Sequence, residues 1–227
     1  DPHSVTPELR TLTRATADRL GLTVEAIITH ASLANSLYTD EPLNLKGSVD
    51  LAVDTGAPLV VFHMGGPGKD GPPHEDMWRR VVDYLKAALD HAACRDIKLA
   101  VDGVWHGWLT DTPAAFLQLH DEIGSDHFGI NFDPCYLALR DYDPVAVARQ
   151  WQHRILHAHL KDHVGAYPEW DHKIPGQGDL DYTRIVQGLA DIGFSEAISI
   201  ETFVTMDFAE ACEVGYTTLA SSMNKTP

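Results

Sequence analysis

The sequence predicts an α/β fold on a parallel sheet, in the form of a (β/α)8 barrel. Strand-like and helix-like segments alternate along the chain, which is typical of βα units. Each strand also has one apolar face and one small or polar face, and the polar face ends in a side chain that can bind a ligand or transfer a proton. Both faces of an open parallel sheet are covered by helices and apolar. The pattern therefore favours a barrel, whose inward side chains meet at the carboxyl ends of the strands.

Six strands are predicted from short runs rich in β-branched residues. Alternate residues of a strand point to opposite faces, so Ile130 and Phe132 oppose Asn131 and Asp133. The stretch HAHLKD at 157–162 has the same alternation and places both of its histidines and its lysine on one face. The predicted strands are 22–30, 58–63, 97–102, 128–133, 154–159 and 196–201.

Helices are predicted between the strands, where apolar residues recur at i, i+3, i+4 and i+7. Gly21 is a helix-ending residue, and the sequence TDTP at 110–113 is a helix start with an N-cap and an early proline. Residues 163–182 contain Pro, Gly, Trp and Tyr and are expected to form a long lid loop. The predicted helices are 6–20, 75–93, 110–123, 143–151, 181–193 and 206–222.

A closed barrel of this type has eight strands, and only six are found. We therefore expect residues 1–227 to form a single barrel domain that comprises strands 3 to 8. The first βαβ unit is then missing from this chain, and its place is left open or filled by another chain.

Composition excludes several classes of protein. The chain has 17 Lys and Arg against 33 Asp and Glu, a net charge of −16, which argues against a nucleic-acid-binding protein. Three widely spaced cysteines indicate neither a disulfide framework nor a zinc ribbon, so a cytoplasmic location is expected. No apolar run approaches the ~18 residues of a membrane helix, so no membrane contact is expected.

The predicted strand ends offer a set of possible metal ligands. Oxygen and nitrogen donors without sulfur suit one divalent cation, with Mn²⁺ as our first choice and Mg²⁺, Co²⁺ or Zn²⁺ as alternatives. Neighbouring carboxylates would repel each other, and a cation between them removes that cost. The candidate ligands are Asp102, Asp133, His159 and Glu201.

With these residues the chain resembles the xylose isomerase-like sugar phosphate isomerase/epimerase superfamily, over essentially its whole length. The most specific motifs are NFDP (131–134), HAHLKD (157–162), GQGDLDY (176–182) and the Glu that ends the last strand. The resemblance implies a TIM barrel of the xylose isomerase-like type. In this family a Glu, an Asp, a His and a second Glu bind one divalent metal. Asp133, His159 and Glu201 match three of them, and Asp102 stands where the first Glu is expected.

The resemblance implies a metal-dependent isomerase or epimerase that acts on a keto-sugar or polyol through an enediolate. A metal-dependent lyase or dehydratase is the alternative, because the same intermediate can expel a leaving group from a keto-polyol or a C- or O-linked keto-glycoside. Glu201 and Asp102 are the candidate acid–base pair; alternatively, both act only as metal ligands. His106 is a further candidate base.

Four residues are candidates for substrate binding: His63, Trp105, Lys161 and Tyr136, the last standing where family members often carry His. His157 is expected to support the ligands rather than to be one. The expected partner is a sugar or polyol, in an oligomer that can include a second subunit. A non-enzymatic binding module is the third class, and it would be expected to lose one of the metal carboxylates.

Overall fold

The computed structural model describes residues 2, 4–39, 43–67, 71–201 and 207–224. Its contacts divide the chain into two compact units, Asp1–Ile130 (unit 1) and Asn131–Pro227 (unit 2). The expectation of a single domain, and of a missing first βαβ unit, stays a prediction.

Unit 1 contains three parallel strands and the helices that alternate with them. Strand β2 pairs with β1 on one side and with β3 on the other, and the register sets Phe62 beside Val101. The next residues along these strands, His63 and Asp102, are therefore neighbours. The elements are α1 (Pro7–Leu20), β1 (Ile27–Ser32), α2 (Leu33–Ser36), α3 (Leu45–Thr55), β2 (Leu59–His63), α4 (His74–Ala93), β3 (Lys98–Asp102) and α5 (Pro113–Ile123).

Local sequence explains where these helices begin and end. The Thr6 hydroxyl accepts a hydrogen bond from the backbone N–H of Leu9, and α1 ends at Gly21, whose φ of 65° is left-handed. Thr112 caps α5 in the same way, through the backbone N–H of Ala115. These caps explain why the two helix starts and the glycine stop could be predicted from sequence.

Strand β4 (Phe128–Phe132) begins in unit 1 and ends in unit 2. Within unit 2 the Asn131 side chain reaches His157 of β5, and β5 pairs in parallel with β8. The core contains Phe132 and Trp151, whose rings meet edge to face at 6.3 Å. The elements are α6 (Pro134–Ala138), α7 (Pro144–Trp151), a 3₁₀ turn (Gln152–Arg154), β5 (Ile155–Leu160), β6 (Asp162–Ala166), β7 (Glu169–Lys173), α8 (Tyr182–Asp191), β8 (Ile198–Ile200) and α9 (Phe208–Met223).

Three expectations are corrected. The first strand begins at Ile27 rather than at residue 22. Residues 45–55, for which no helix is predicted, form α3, and Gly47 lies within this helix. Residues 163–182 are not a plain lid loop, because β6 and β7 pair as an antiparallel hairpin over five residue pairs. The other predicted strands and helices match within about three residues, although Met206, the predicted start of the last helix, lies outside the described residues.

None of the helices in the described residues is both long and apolar enough to cross a membrane.

Candidate functional site

The centre of the site in unit 2 is the ammonium group of Lys161, which is 1% exposed. Its Nζ lies 2.7 Å from Oδ2 of Asp133, a completely buried carboxylate, and 2.5 Å from Oε2 of Glu201, which is 25% exposed. His159 is also buried, and its Nδ1 lies 3.7 Å from the same Glu201 oxygen. We call these four residues the Lys161 cluster. A buried cation thus joins two carboxylates that stand 68 residues apart in sequence.

Strand ends hold the two carboxylates in place. Asp133 follows β4 and caps α6, where its side chain accepts a hydrogen bond from the backbone N–H of Tyr136 at 3.0 Å. Glu201 follows β8, and its own N–H donates to the carbonyl of Leu160 at 3.0 Å. Both side chains therefore leave the carboxyl ends of strands toward the same lysine, as the strand alternation predicts.

Tyr136 and His157 complete the surroundings of the cluster. The Lys161 ammonium lies over the Tyr136 ring, 3.8 Å from its centroid, in a cation–π contact. Both ring nitrogens of His157 are within hydrogen-bond distance of side chains, Nδ1 with Asn131 at 2.8 Å and Nε2 with Ser199 at 2.9 Å. The ring of His157 packs against that of His159 at 5.1 Å. His157 is thus held by two side chains and packs on His159, and its supporting role stays a prediction.

The aspartate of the HLKD motif anchors the chain beyond the site. Asp162 is fully buried, and its two oxygens accept hydrogen bonds from the backbone N–H groups of His163, Gly176, Gly178 and Leu180 at 2.9–3.1 Å. The GQGDLDY motif is therefore the loop that this carboxylate ties down.

Tyr182, the last residue of that motif, holds the backbone of the cluster. Its hydroxyl donates to the carbonyl of Lys161 at 2.8 Å, and burial raises its pKa above the ordinary value. Two of the motifs that carry the family resemblance, HAHLKD and GQGDLDY, thus bind each other and fix the position of Lys161.

The hairpin holds residues that the sequence did not assign to the site. His172 of β7 lies with its Nδ1 4.0 Å from the sulfur of Cys135, and its Nε2 accepts a hydrogen bond from the indole N–H of Trp170 at 3.3 Å. Burial, followed by the charge of Lys161, lowers the pKa of His172, and burial raises that of Cys135. Charged residues alternate with aromatic ones in 169–173, and this strand-like pattern could have predicted β7. The neighbouring Pro and Gly residues favoured the prediction of a loop instead.

In unit 1, four predicted residues form two contacts. His63 and Asp102 are paired, with Nε2 3.0 Å from Oδ2, and the buried Asp102 orients a histidine whose side chain is 25% exposed. Trp105 is half-buried and meets the exposed His106 edge to face at 6.0 Å. The His63 ring also packs 5.7 Å from that of Trp108. Asp102 is thus held by a histidine in this structure.

The Lys161 cluster has the donor chemistry for a divalent cation. Two carboxylates of unit 2 lie against one positive charge, which the Lys161 ammonium supplies, and the imidazole of His159 lies beside one of these carboxylates. As these side chains stand, no three His, Cys, Asp or Glu residues within the described ranges are spaced to hold a metal ion. The donor types therefore fit, and an ion would have to replace the ammonium between Asp133 and Glu201.

Comparison with known proteins identifies the chain's relatives. The family model described as a xylose isomerase-like TIM barrel matches residues 2–216. An inosose dehydratase of Lacticaseibacillus casei is 26% identical over 152 residues, which are 58% of this chain and 50% of that protein. A D-psicose 3-epimerase of Enterocloster bolteae is 29% identical over 127 residues, 55% of this chain and 40% of that one. The chain spans about half the length of the curated relatives it matches.

A solved structure shows the same fold. The crystal structure of an IOLI protein with a bound zinc atom superposes with a TM-score of 0.78 at 19% identity, covering 95% of this chain and 82% of that one. The family match and this likeness confirm the predicted α/β TIM-barrel class.

Proposed function

Because the chain belongs to the xylose isomerase-like TIM barrel family, we propose that it is a divalent-metal-dependent sugar or polyol isomerase or epimerase. It acts on a keto-sugar through an enediolate. The observation that supports this most strongly is the convergence of Asp133 and Glu201 on one buried positive charge, with His159 beside Glu201. The similarity to a D-psicose 3-epimerase supports the reaction class.

Asp133, His159 and Glu201 would hold the ion, and Asp102 is the predicted fourth ligand. When bound, a divalent cation polarises the carbonyl group next to the carbon that loses its proton. The mixed oxygen and nitrogen donors support Mn²⁺ as the first choice, and the zinc-bound structural neighbour supports a divalent ion in general.

Exposure divides the roles of the two carboxylates. Asp133 is completely buried and cannot reach a substrate, whereas a quarter of the Glu201 side chain is exposed. Glu201 is therefore a ligand that also acts as the base and removes the proton from the substrate carbon, whereas Asp133 is a ligand only. With the ion between the two carboxylates, the displaced Lys161 ammonium would stay on the Tyr136 side of the cluster, where it can stabilise an anionic substrate oxygen.

In unit 1, Asp102 stays a predicted ligand and acid–base group, and His63 stays a predicted substrate contact. Asp102 fixes the imidazole, and the exposed part of His63 can exchange a proton with a substrate hydroxyl. Trp105 stays a predicted sugar contact, and His106 stays a predicted base. The cytoplasmic location and an oligomeric state stay predictions.

Proton exchange in D₂O tests the proposed reaction. The Mn²⁺-loaded protein is incubated with a panel of ketoses and keto-glycosides, and deuterium in the recovered sugars is measured by mass spectrometry. We expect deuterium at one carbon without loss of a group, and a loss of at least 100-fold in Glu201→Gln, because the base is removed. Glu169→Gln, which changes an exposed hairpin carboxylate, is the matched control and should leave exchange intact. Equal exchange in all three proteins would contradict the role of Glu201, and no exchange with any sugar would contradict the proposal.

A lyase or dehydratase is the second candidate, and the similarity to an inosose dehydratase favours it. An enediolate with a leaving group at the next carbon can expel water or an aglycone instead of regaining its proton. Release of either product in the same incubations would assign the chain to this class.

A further inference from the structure

We propose that four rings of unit 2 form a binding subsite for the group linked to the reacting sugar, so that the substrate is a keto-glycoside rather than a free keto-sugar. The rings belong to Tyr136, His172, Trp170 and Tyr167, and we call them the aromatic run. The assignment rests on the proposed function for the reacting end of the substrate, at the Lys161 cluster.

The aromatic run is continuous from the cluster to the surface. Tyr136 touches the Lys161 ammonium, and its centroid is 6.4 Å from that of His172. Trp170 lies 6.1 Å beyond His172, edge to face, and Tyr167 stacks on Trp170 at 5.6 Å with a 25° tilt. The first three rings are half-buried, and Tyr167 at the outer end is 48% exposed. The series therefore leads from the proposed reaction centre to solvent.

The base of the hairpin is held firmly beside the cluster. Strand β6 starts at Asp162, directly after Lys161, and the buried Asp162 carboxylate binds four backbone N–H groups. On β7, the indole N–H of Trp170 donates to His172, which fixes the orientation of the indole. The rings thus have a defined position before any ligand binds, which lowers the entropic cost of binding.

The chemistry of the aromatic run suits a sugar or aryl ring. Tyr and Trp combine a large apolar face with a polar edge, which matches the C–H face and the hydroxyl rim of a sugar ring. A free monosaccharide that reacts beside Lys161 and Tyr136 is three ring-to-ring steps away from Tyr167. Only a substrate with a second ring or an aromatic aglycone can use the outer pair.

A purely structural role for the outer rings is the competing explanation. Cross-strand aromatic pairs do stabilise hairpins, but Tyr167 lies between the strands, in the turn, and leaves almost half of its surface in solvent. If the pair were only structural, truncating either ring would lower the stability of the hairpin and change the affinity for every ligand alike. A subsite would affect only the ligand that is long enough to reach it.

The test compares two ligands by isothermal titration calorimetry on the full chain with Mn²⁺ present: an aryl 3-keto-β-D-glucoside and the free ketohexose D-psicose. We expect the glycoside to bind at least 10-fold more tightly than the ketohexose. Tyr167→Ala and Trp170→Ala should remove most of this preference and leave the Kd of the ketohexose within twofold. Tyr167→Phe, which keeps the ring, should restore the preference, and Tyr216→Ala, an exposed tyrosine of α9, is the control.

Saturation-transfer NMR with diamagnetic Mg²⁺ in place of Mn²⁺ should show protein contact with the aglycone protons. Equal affinities for the two ligands, or an equal loss of both in the variants, would overturn the subsite. Aglycone contact without exchange or elimination would support the subsite and refute the proposed reaction. Turnover of the ketohexose without any preference for the glycoside would support the proposed reaction and refute the subsite.

Discussion

Replacement of Lys161 by Met should destabilise the protein by about 3 kcal/mol. Removal of one partner from a buried ion pair costs about 3–5 kcal/mol, because the other charge is left buried and uncompensated. Asp133 is completely buried, so it cannot regain solvent, while it keeps the hydrogen bond from the Tyr136 N–H. Glu201 is 25% exposed and can be partly rehydrated, which places the estimate at the lower end of that range.

Urea unfolding followed by circular dichroism measures this cost, and a thermal scan should show a fall of about 6–12 °C for a chain of this size. Lys173→Met is the matched control. Its ion pair with Asp171 is exposed, with side chains 33% and 74% accessible, and should contribute less than about 1 kcal/mol.

A double variant isolates the buried charge. Asp133→Asn removes the carboxylate that Lys161 neutralises, so Lys161→Met should cost about 1–3 kcal/mol less in that background. If a divalent cation replaces the ammonium, Mn²⁺ should also raise the melting temperature of Lys161→Met more than that of the wild type. A cost of Lys161→Met below about 1 kcal/mol, or a cost that Asp133→Asn does not change, would refute the assignment of Lys161 as the internal counter-ion.

Three further predictions concern single groups of the described residues. A thiol reagent should label the exposed Cys94 and Cys212 of the native protein and leave Cys135, which is buried and whose pKa is raised by burial; rapid reaction of three thiols would contradict this. Asp162→Ala should destabilise the loop that follows the hairpin, because four backbone N–H groups lose their acceptor, and limited proteolysis should then cut within 163–182 much faster than in the wild type. Burial lowers the pKa of His172 below the unfolded value of 6.5, so the unfolded state binds the proton first and the free energy of unfolding should fall as pH drops below about 6.5. His172→Gln should weaken this pH dependence, and an unchanged pH profile in the variant would exclude His172 as its source.

Sequence patterns that depend on near neighbours were sufficient for the elements of the fold. The alternation in HAHLKD and NFDP placed His159, Lys161 and Asp133 on the polar faces of their strands, because a strand repeats every two residues. Caps such as Thr6 and Thr112 bind N–H groups only three residues away, so they too could be read locally. The hairpin was missed because Gly165 within β6 and Pro168 in the turn dominate the local composition.

The sequence by itself determined which side chains stand at the ends of strands, and therefore which chemistry is available at the site. Only the tertiary structure decided which partner each of them takes: Lys161 lies between Asp133 and Glu201, His157 is held by Asn131 and Ser199, and Asp162 serves the loop rather than a ligand. Strand periodicity is set by bonds between adjacent residues, whereas the choice of a partner depends on distances across space between groups tens of residues apart. Those distances exist only once the strands have packed side by side.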